Sequence, residues 1–385
     1  MEVKYKLFRL TTIPLSLNIL LKGQLRFLNK YYDVTAIADD NDTESWNAIT
    51  EREHINIKKI PMKREIAIFS DLKSLGILIL FFLKEKPHIV HANTPKASLL
   101  GMLAARISGV RHRIYTVTGL RFEGEKGFKR KILIAMEKIT CLAASKVIPE
   151  GNGVKQTILK HKITKKQLKV IGNGNINGIN PEFFNPGFIN RQDKNKLKKD
   201  LNIYENDFVY VFVGRLVSNK GIGELVKAFA QLSTNYHYVK LLLVGPFEKV
   251  LDPLDNKTME IIRENRHIIQ AGFQPDVRPY LAISDVFVFP SYREGFPNVV
   301  MQAGAMGLPS IVTDINGCNE IITDRINGFL IPVRNVDSLK EKMEMYLTDK
   351  STLQMHKSTA RELIISRFSQ KDVWEGLLNE YSLLE

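Results

Sequence analysis

The stretch Ser284–Thr313 limits the fold more than any other. It opens with an apolar run, SDVFVFP, and turns through Arg293-Glu294-Gly295. It then continues as FPNVVMQAGAMG and enters a second apolar run, SIVT. Short apolar runs bounded by turn residues read as buried strands. Pro297 is expected at the first helical position, where its missing N–H is unpaired in any case. The small residues of VVMQAGAM allow a helix to pack close to a sheet, and Gly307 is placed to end it. The pattern is strand–loop–helix–strand, the unit of a parallel α/β sheet. Glu294 then falls at the carboxyl edge of a strand, where open α/β sheets bind ligands. The helix start beside it supplies free N–H groups and a positive dipole end, a seat for phosphate.

The rest of the chain repeats this grammar. At 385 residues it exceeds one ordinary core, so two domains are expected. Strands are expected over 3–10, 34–38, 86–92, 113–117, 146–149 and 168–171, with a helix beginning near Ser98. A Gly/Asn-rich run, Gly172–Asn180, marks the junction. The second half restarts with FVYVFV, followed by Gly214-Arg215-Leu216 and Lys220-Gly221, and continues through strands near 240–244, 268–270 and 329–332. Phe368–Leu384 is amphipathic at helical spacing, which core packing explains.

Charge is unevenly placed. Through Asn180 there are 31 lysines and arginines against 15 acids, a balance of +16. From Pro181 the counts are 24 and 26, or −2. A one-sided basic field favours an anionic partner at the first half. Lys126, Lys129, Arg130 and Lys131, beside Phe128, Ile132 and Leu133, are the candidate contact with an anionic membrane surface. Nucleic acid is not expected as a partner, because no stacking aromatics are interleaved with base-reading side chains. The most apolar run, Leu75–Leu83, spans 9 residues, far short of the ~20 a membrane helix needs, and reads as a buried helix. Met1–Thr12 is mixed and strand-like, so no signal peptide is expected. Two cysteines, Cys141 and Cys318, in different halves suit a reduced cytosolic compartment. Asp40 and Asp42 form a nominal D-x-D, which reads as a solvated acidic loop rather than a metal pair.

Glu294, the GFPN that follows it and the VGRLVSNKG upstream together resemble the signature of glycosyltransferase family 4. The resemblance covers nearly the whole chain and is nearest to bacterial enzymes of lipid-linked surface polysaccharides. It implies the α/β GT-B fold: two Rossmann-like doubly wound domains facing across a cleft, with a C-terminal helix crossing back to the first. The boundaries expected are 1–180 for acceptor binding, 181–366 for the nucleotide sugar and 367–385 for that helix. The implied activity is retaining transfer of a hexosyl or N-acetylhexosaminyl group from a nucleotide sugar, a UDP-sugar, to a glycan or polyprenyl-diphosphate-linked acceptor. No metal or other cofactor is implied. The setting is cytoplasmic, peripheral on the inner face of the membrane.

The resemblance also assigns residues. Arg215 and Lys220 would hold the donor diphosphate, supplying fixed positive charge where the leaving group gains negative charge. Glu294 would bind donor hydroxyls and stabilise charge at the anomeric carbon, with Gly295, Phe296, Pro297 and Asn298 facing sugar and phosphates. Gln302 stands where the family's Glu-x7-Glu pattern has its second acid, whose role is to bind ribose. Gly272 and Phe273 would meet the base. In the first half, His91 at a strand end is a candidate catalytic group, and Lys96, Thr118 and Arg121 are candidates for the acceptor side or cleft. Thr118 stands where many relatives carry histidine, and a hydroxyl cannot act as a base near neutral pH. Two other readings fit the same residues: a sugar-nucleotide epimerase or hydrolase on this fold, and a non-catalytic module bound to an anionic surface.

Overall fold

In a computed structural model, described here for residues 4–63, 65, 67–248 and 252–384, the chain divides into two compact units. One comprises Met1–Gly178 with Gln370–Glu385, the other Ile179–Ser369.

The first unit runs β1 (Lys6–Leu10), α1 (Pro14–Leu20), α2 (Gln24–Leu28), β2 (Asp33–Ala38), α3 (Thr43–Glu53) and β3 (Asn56–Lys59). It continues with α4 (Ile68–Glu85), β4 (Ile89–Ala92), α5 (Pro95–Ile107), β5 (His112–Val117), α6 (Gly127–Ala143), β6 (Lys146–Pro149) and α7 (Asn152–Lys160). All six strands are parallel, in the order β3-β2-β1-β4-β5-β6. The chain works outward from β1 to β3, then returns beside β1 at β4 and works outward the other way. That reversal is the doubly wound pattern of a Rossmann-like domain, and its switch point lies between β1 and β4.

The second unit repeats the topology. It runs α8 (Arg191–Asp200), β7 (Phe208–Val213), α9 (Ile222–Asn235), β8 (Val239–Val244), α10 (Asn256–Glu264), β9 (Ile268–Gly272), α11 (Arg278–Ala282) and β10 (Val286–Phe289). Then come α12 (Asn298–Ala305), β11 (Ser310–Thr313), α13 (Cys318–Ile321), β12 (Gly328–Ile331), α14 (Val336–Thr348) and α15 (Lys350–Phe368). Its sheet order is β12-β11-β10-β7-β8-β9, so the switch lies between β7 and β10. Those two strands are almost wholly buried because helices cover both sheet faces, which is why they read as unbroken apolar runs. The last helix, α16 (Gln370–Ser382), belongs to the first unit, where Leu377 and Tyr381 join its core.

Several sequence expectations need correction. The segment after β1 is helical from Pro14, and α1 and α2 are separated by a turn through Gly23, where φ is +80°. The run 168–171 forms no strand, only one bridge from Leu168 to Val147. Leu75–Leu83 is not a buried helix: α4 leaves Leu80 and Leu83 exposed. Pro297 precedes α12 as its N-cap, with ψ of 106°, and the helix begins at Asn298. Val3, expected in the first strand, lies outside the described residues, as do Met1 and Glu2.

Candidate active site

The second unit brings the two sides of its switch point together. Lys220 ends a short 3-10 turn, Ser218–Lys220, after β7. Glu294 lies in the loop between β10 and α12. The Lys220 ammonium donates to Glu294 Oε1, and Ser291 Oγ donates to the same oxygen at 2.6 Å. Both charged side chains are largely shielded, and Lys220 Nζ also sits 5.0 Å from the Phe289 ring centroid. A shielded ion pair held this way keeps opposite charges at fixed positions beside the carboxyl ends of two neighbouring strands.

Backbone contacts stitch the two loops. Tyr292 N donates to Asn219 O at 2.9 Å, and Ser291 Oγ lies 3.3 Å from the same carbonyl. Gly221 follows Lys220 with φ of +70°, and a Cβ there would collide with the Pro290 carbonyl. Only glycine combines that backbone with that approach. Behind the turn, Gly317 (φ +76°) lies so close that a Cβ would stand 2.8 Å from Phe296 Cα. Thr313 Oγ1 donates to Ser291 O.

The flank is polar and also fixed. Tyr292 OH donates to Glu224 at 2.7 Å, and the Arg334 guanidinium lies 4.6 Å from the Tyr292 ring. Burial, with Glu224 alongside, pushes the Tyr292 phenol up to about 12, so it stays a neutral donor. Cys318 is fully buried, and burial together with Glu294 raises its thiol well above its ordinary value.

The other expected donor residues fall along the same sheet edge. Arg215 follows β7 but is exposed and leans to Glu248, at 3.9 Å, rather than to Glu294. Gly295, Phe296 and Pro297 form the loop after Glu294, and Asn298 begins α12. Gln302 is half-buried on that helix's second turn. Gly272 ends β9, two strands from β7, with φ of +68°, and Phe273 beyond it is exposed.

The first unit treats its candidates differently. His91 is buried, with Nδ1 paired to Tyr381 OH at 2.5 Å and Nε2 to Thr116 Oγ1 at 2.7 Å. Both ring nitrogens are thus hydrogen-bonded within the first unit. Burial, and Arg9 after it, hold its pKa well below the usual range, so it is neutral near pH 7. Lys96 is likewise enclosed, with Nζ on both Asp71 oxygens at 2.7 and 3.0 Å. Its charge is matched internally. Thr118 Oγ1 donates to Asn93 O at 2.9 Å, and Arg121 is exposed on a 3-10 turn. Asp40 pairs with Lys59 at 2.6 Å, and Asp42 caps α3 through Ser45 N at 2.9 Å. Among the described residues no group of three or more His, Cys, Asp or Glu could hold a metal ion.

Sequence reasoning passed over Ser291, Asn219 and Arg9. Ser291 opens the signature stretch, but nothing in its spacing tells that its hydroxyl turns to Glu294. Arg9 carried a usable signal, a charge inside the apolar strand KLFRL. It is fully buried, bonded to Tyr381 OH and Asn93 Oδ1, each at 2.9 Å.

Comparison with known proteins finds relatives along nearly the whole chain. Residues 193–363 match the model for "Glycosyl transferases group 1", and 16–150 match "Glycosyl transferase 4-like". The chain is 36% identical over 379 residues to the capsular polysaccharide biosynthesis glycosyltransferase CapM of Staphylococcus aureus, covering 98% of this chain and 97% of that one. It is 31% identical over 310 residues to an Escherichia coli protein named UDP-Gal:alpha-D-GlcNAc-diphosphoundecaprenol alpha-1,3-galactosyltransferase, covering 80% and 78%. Among solved structures, HepE from Anabaena in complex with UDP superposes with a TM-score of 0.80 at 19% identity, over 99% of this chain and all of that one.

Proposed function

The chain belongs to the group 1 glycosyl transferases, the family 4 type of GT-B enzyme, and on that premise we propose which transfer it performs. It moves a hexosyl or N-acetylhexosaminyl group from a UDP-sugar, such as a UDP-N-acetylhexosamine, to a polyprenyl-diphosphate-linked glycan. The step serves bacterial surface polysaccharide synthesis and retains the anomeric configuration.

The observation that carries this reading is the Lys220–Glu294 pair at the switch point of the second sheet. Departure of a nucleoside diphosphate builds negative charge on oxygen and positive charge on the anomeric carbon. A fixed ammonium suits the first and a fixed carboxylate the second. Lys220 would stabilise the leaving diphosphate, joined by Arg215, whose exposed fork is free to turn from the distant Glu248 carboxylate. Glu294 would bind donor hydroxyls and the developing cation. Asn298 and the N–H groups opening α12 would face the phosphates. Gln302 would hydrogen-bond the ribose without a charge, and Gly272 and Phe273 would meet the base. The leaving phosphate itself would take the acceptor proton. No metal or cofactor enters. Thr118 and Arg121 stand at the acceptor side.

The name of the Escherichia coli relative supports both a UDP-sugar donor and a lipid-diphosphate acceptor. The chain would work on the cytoplasmic face of the membrane, peripherally bound. No helix among the described residues is long and apolar enough to cross one.

A screen of UDP-sugars against lipid-diphosphate-linked acceptors, read by mass spectrometry, tests the proposal. Transfer with one donor, with the product's anomeric coupling matching the donor's, is the expected result. Nucleotide release at full rate without acceptor would instead identify a hydrolase or epimerase. Absence of heat on titration with any nucleoside diphosphate would identify a binding module.

A further inference from the structure

Two helices of the first unit carry outward faces that are apolar. On α4 the stripe turned from the sheet holds Phe69, Leu72, Leu80 and Leu83, with Gly76 in the middle. Phe69 is 90% exposed and Leu80 70%. On α6 the outward stripe holds Phe128, Ile132, Ile139 and Leu142, with Ala135 in the middle. Phe128 is 77% exposed and Leu142 68%. The steps are three and four residues in both, so each stripe runs straight down one helix face. Each helix also buries an inner stripe, through Leu78 and Phe82 on α4 and through Leu133 and Cys141 on α6. A soluble helix needs only the inner one.

The two stripes belong to one layer. α5 lies between them and is bonded to both: Ser108 Oγ, its C-cap, donates to Ile79 O at 3.2 Å, and Arg106 donates to Leu142 O at 3.0 Å. Ile107, at the end of α5, is exposed between the stripes. The exposed charges of α4 and α6 are all lysines: Lys73, Lys84, Lys129, Lys131 and Lys138. Their acids are turned elsewhere. Asp71 pairs with Lys96, Glu85 with Lys6, and Glu137 is buried under Tyr115. Glu125, just before α6, pairs with Lys129.

We propose that this α4–α5–α6 face seats in the headgroup layer of an anionic bilayer, with both apolar stripes at the acyl boundary and the lysines among the phosphates. Exposed apolar patches of this extent mark binding surfaces. Apolar side chains flanked by lysine, with no exposed acid on either helix, match anionic lipid and nothing uncharged. Pairing with a second copy would bring two cationic faces together. The assignment deepens the membrane partner named for the transferase, and it locates the contact on α4 as well as α6. It rests on that reading only for why a membrane is useful.

Vesicle sedimentation without donor or acceptor tests it. Wild type is expected to pellet with phosphatidylglycerol vesicles and to stay in solution with phosphatidylcholine. Leu80→Asp with Leu142→Asp should weaken binding roughly tenfold or more at any salt. Lys73→Gln with Lys131→Gln and Lys138→Gln should weaken it about tenfold at low salt and little at high salt. Melting temperature and transfer to a short, water-soluble acceptor should not change, which separates failure here from failure of the transferase reading. Phe128→Trp supplies a milder probe: brominated lipid should quench the added tryptophan. Wild type left in solution with phosphatidylglycerol, an aspartate variant that pellets normally, or an unquenched tryptophan would overturn the proposal. So would a lipid-free oligomer dissolved by the same substitutions.

Discussion

Lys220, after β7, and Glu294, after β10, are 74 residues apart in sequence and share a direct ion pair at the reversal point of the second sheet. A carboxylate and an ammonium so placed are each other's counterion before any substrate arrives. A diphosphate entering beside them would compete with Glu294 for Lys220, so donor binding and the state of this pair should be coupled.

Glu294→Gln keeps the shape and the Ser291 bond but removes the charge. Turnover should fall at least about 100-fold while nucleotide affinity changes little, as measured by steady-state kinetics and calorimetry. Lys220→Ala should lose about 2–4 kcal/mol of transition-state stabilisation and also lower stability, because it leaves Glu294 shielded without its partner. Arg215→Ala, at an exposed side chain, should lose donor affinity and rate with no change in melting temperature.

Gly221→Ala asks a left-handed residue to carry a Cβ into the Pro290 carbonyl. Denaturant unfolding should show a loss of at least about 2 kcal/mol, and nucleotide titration should show weakened binding, since the Lys220 turn must move.

Glu137 is buried beneath Tyr115, whose hydroxyl donates to it at 2.9 Å. Burial raises its carboxyl from the usual 4.5 to about 7 in the folded chain, against the opposing pull of Tyr115 and then Arg121. The folded state therefore keeps a proton that the unfolded state releases between those values. Its contribution is full below pH 4.5 and is lost as pH rises through 7. Unfolding at pH 5 and pH 8 should differ by about 1–3 kcal/mol more in wild type than in Glu137→Gln, which holds no proton to lose.

Tyr381→Phe removes the hydroxyl that receives Arg9 and meets His91. A buried guanidinium then loses a partner, so stability should fall by about 1–3 kcal/mol. Amide exchange in α16 should accelerate more than in α9, which this bond does not hold.

The reaction should proceed undiminished in EDTA, measured by transfer to a lipid-diphosphate acceptor. A requirement for added divalent metal would remove the charge role given to Lys220 and Arg215.

How far the sequence reveals all this depends on what each residue type signals. Ser310–Thr313 and Lys146–Pro149 are legible to the residue, because a parallel strand covered on both faces must be an apolar run closed by turn residues. Asn56–Lys59 is not, since this edge strand, NIKK, is exposed throughout and has no pattern to show. The apolar run in α4 misleads for a related reason: it covers the helix all round, so it does not say which side the sheet will take. Lys220 and Glu294 are legible as charges following strands. Their direct contact rests on the Asn219 carbonyl and the Gly221 approach, which no side-chain code spells out. A strand-end position gave His91 no direction, and Tyr381, hundreds of residues away, supplies it.

The placement of α16 has a consequence for how the polypeptide is made. The first unit's core includes Leu377 and Tyr381, so its opening residues leave the ribosome long before the piece that completes them. Arg9 must wait for Tyr381 through the whole synthesis of the second unit. That unit is continuous in sequence and can close while translation goes on. Of the two units, the one whose synthesis starts earlier is thus the one that finishes folding later, and loss of α16 would strike the strand that carries Arg9.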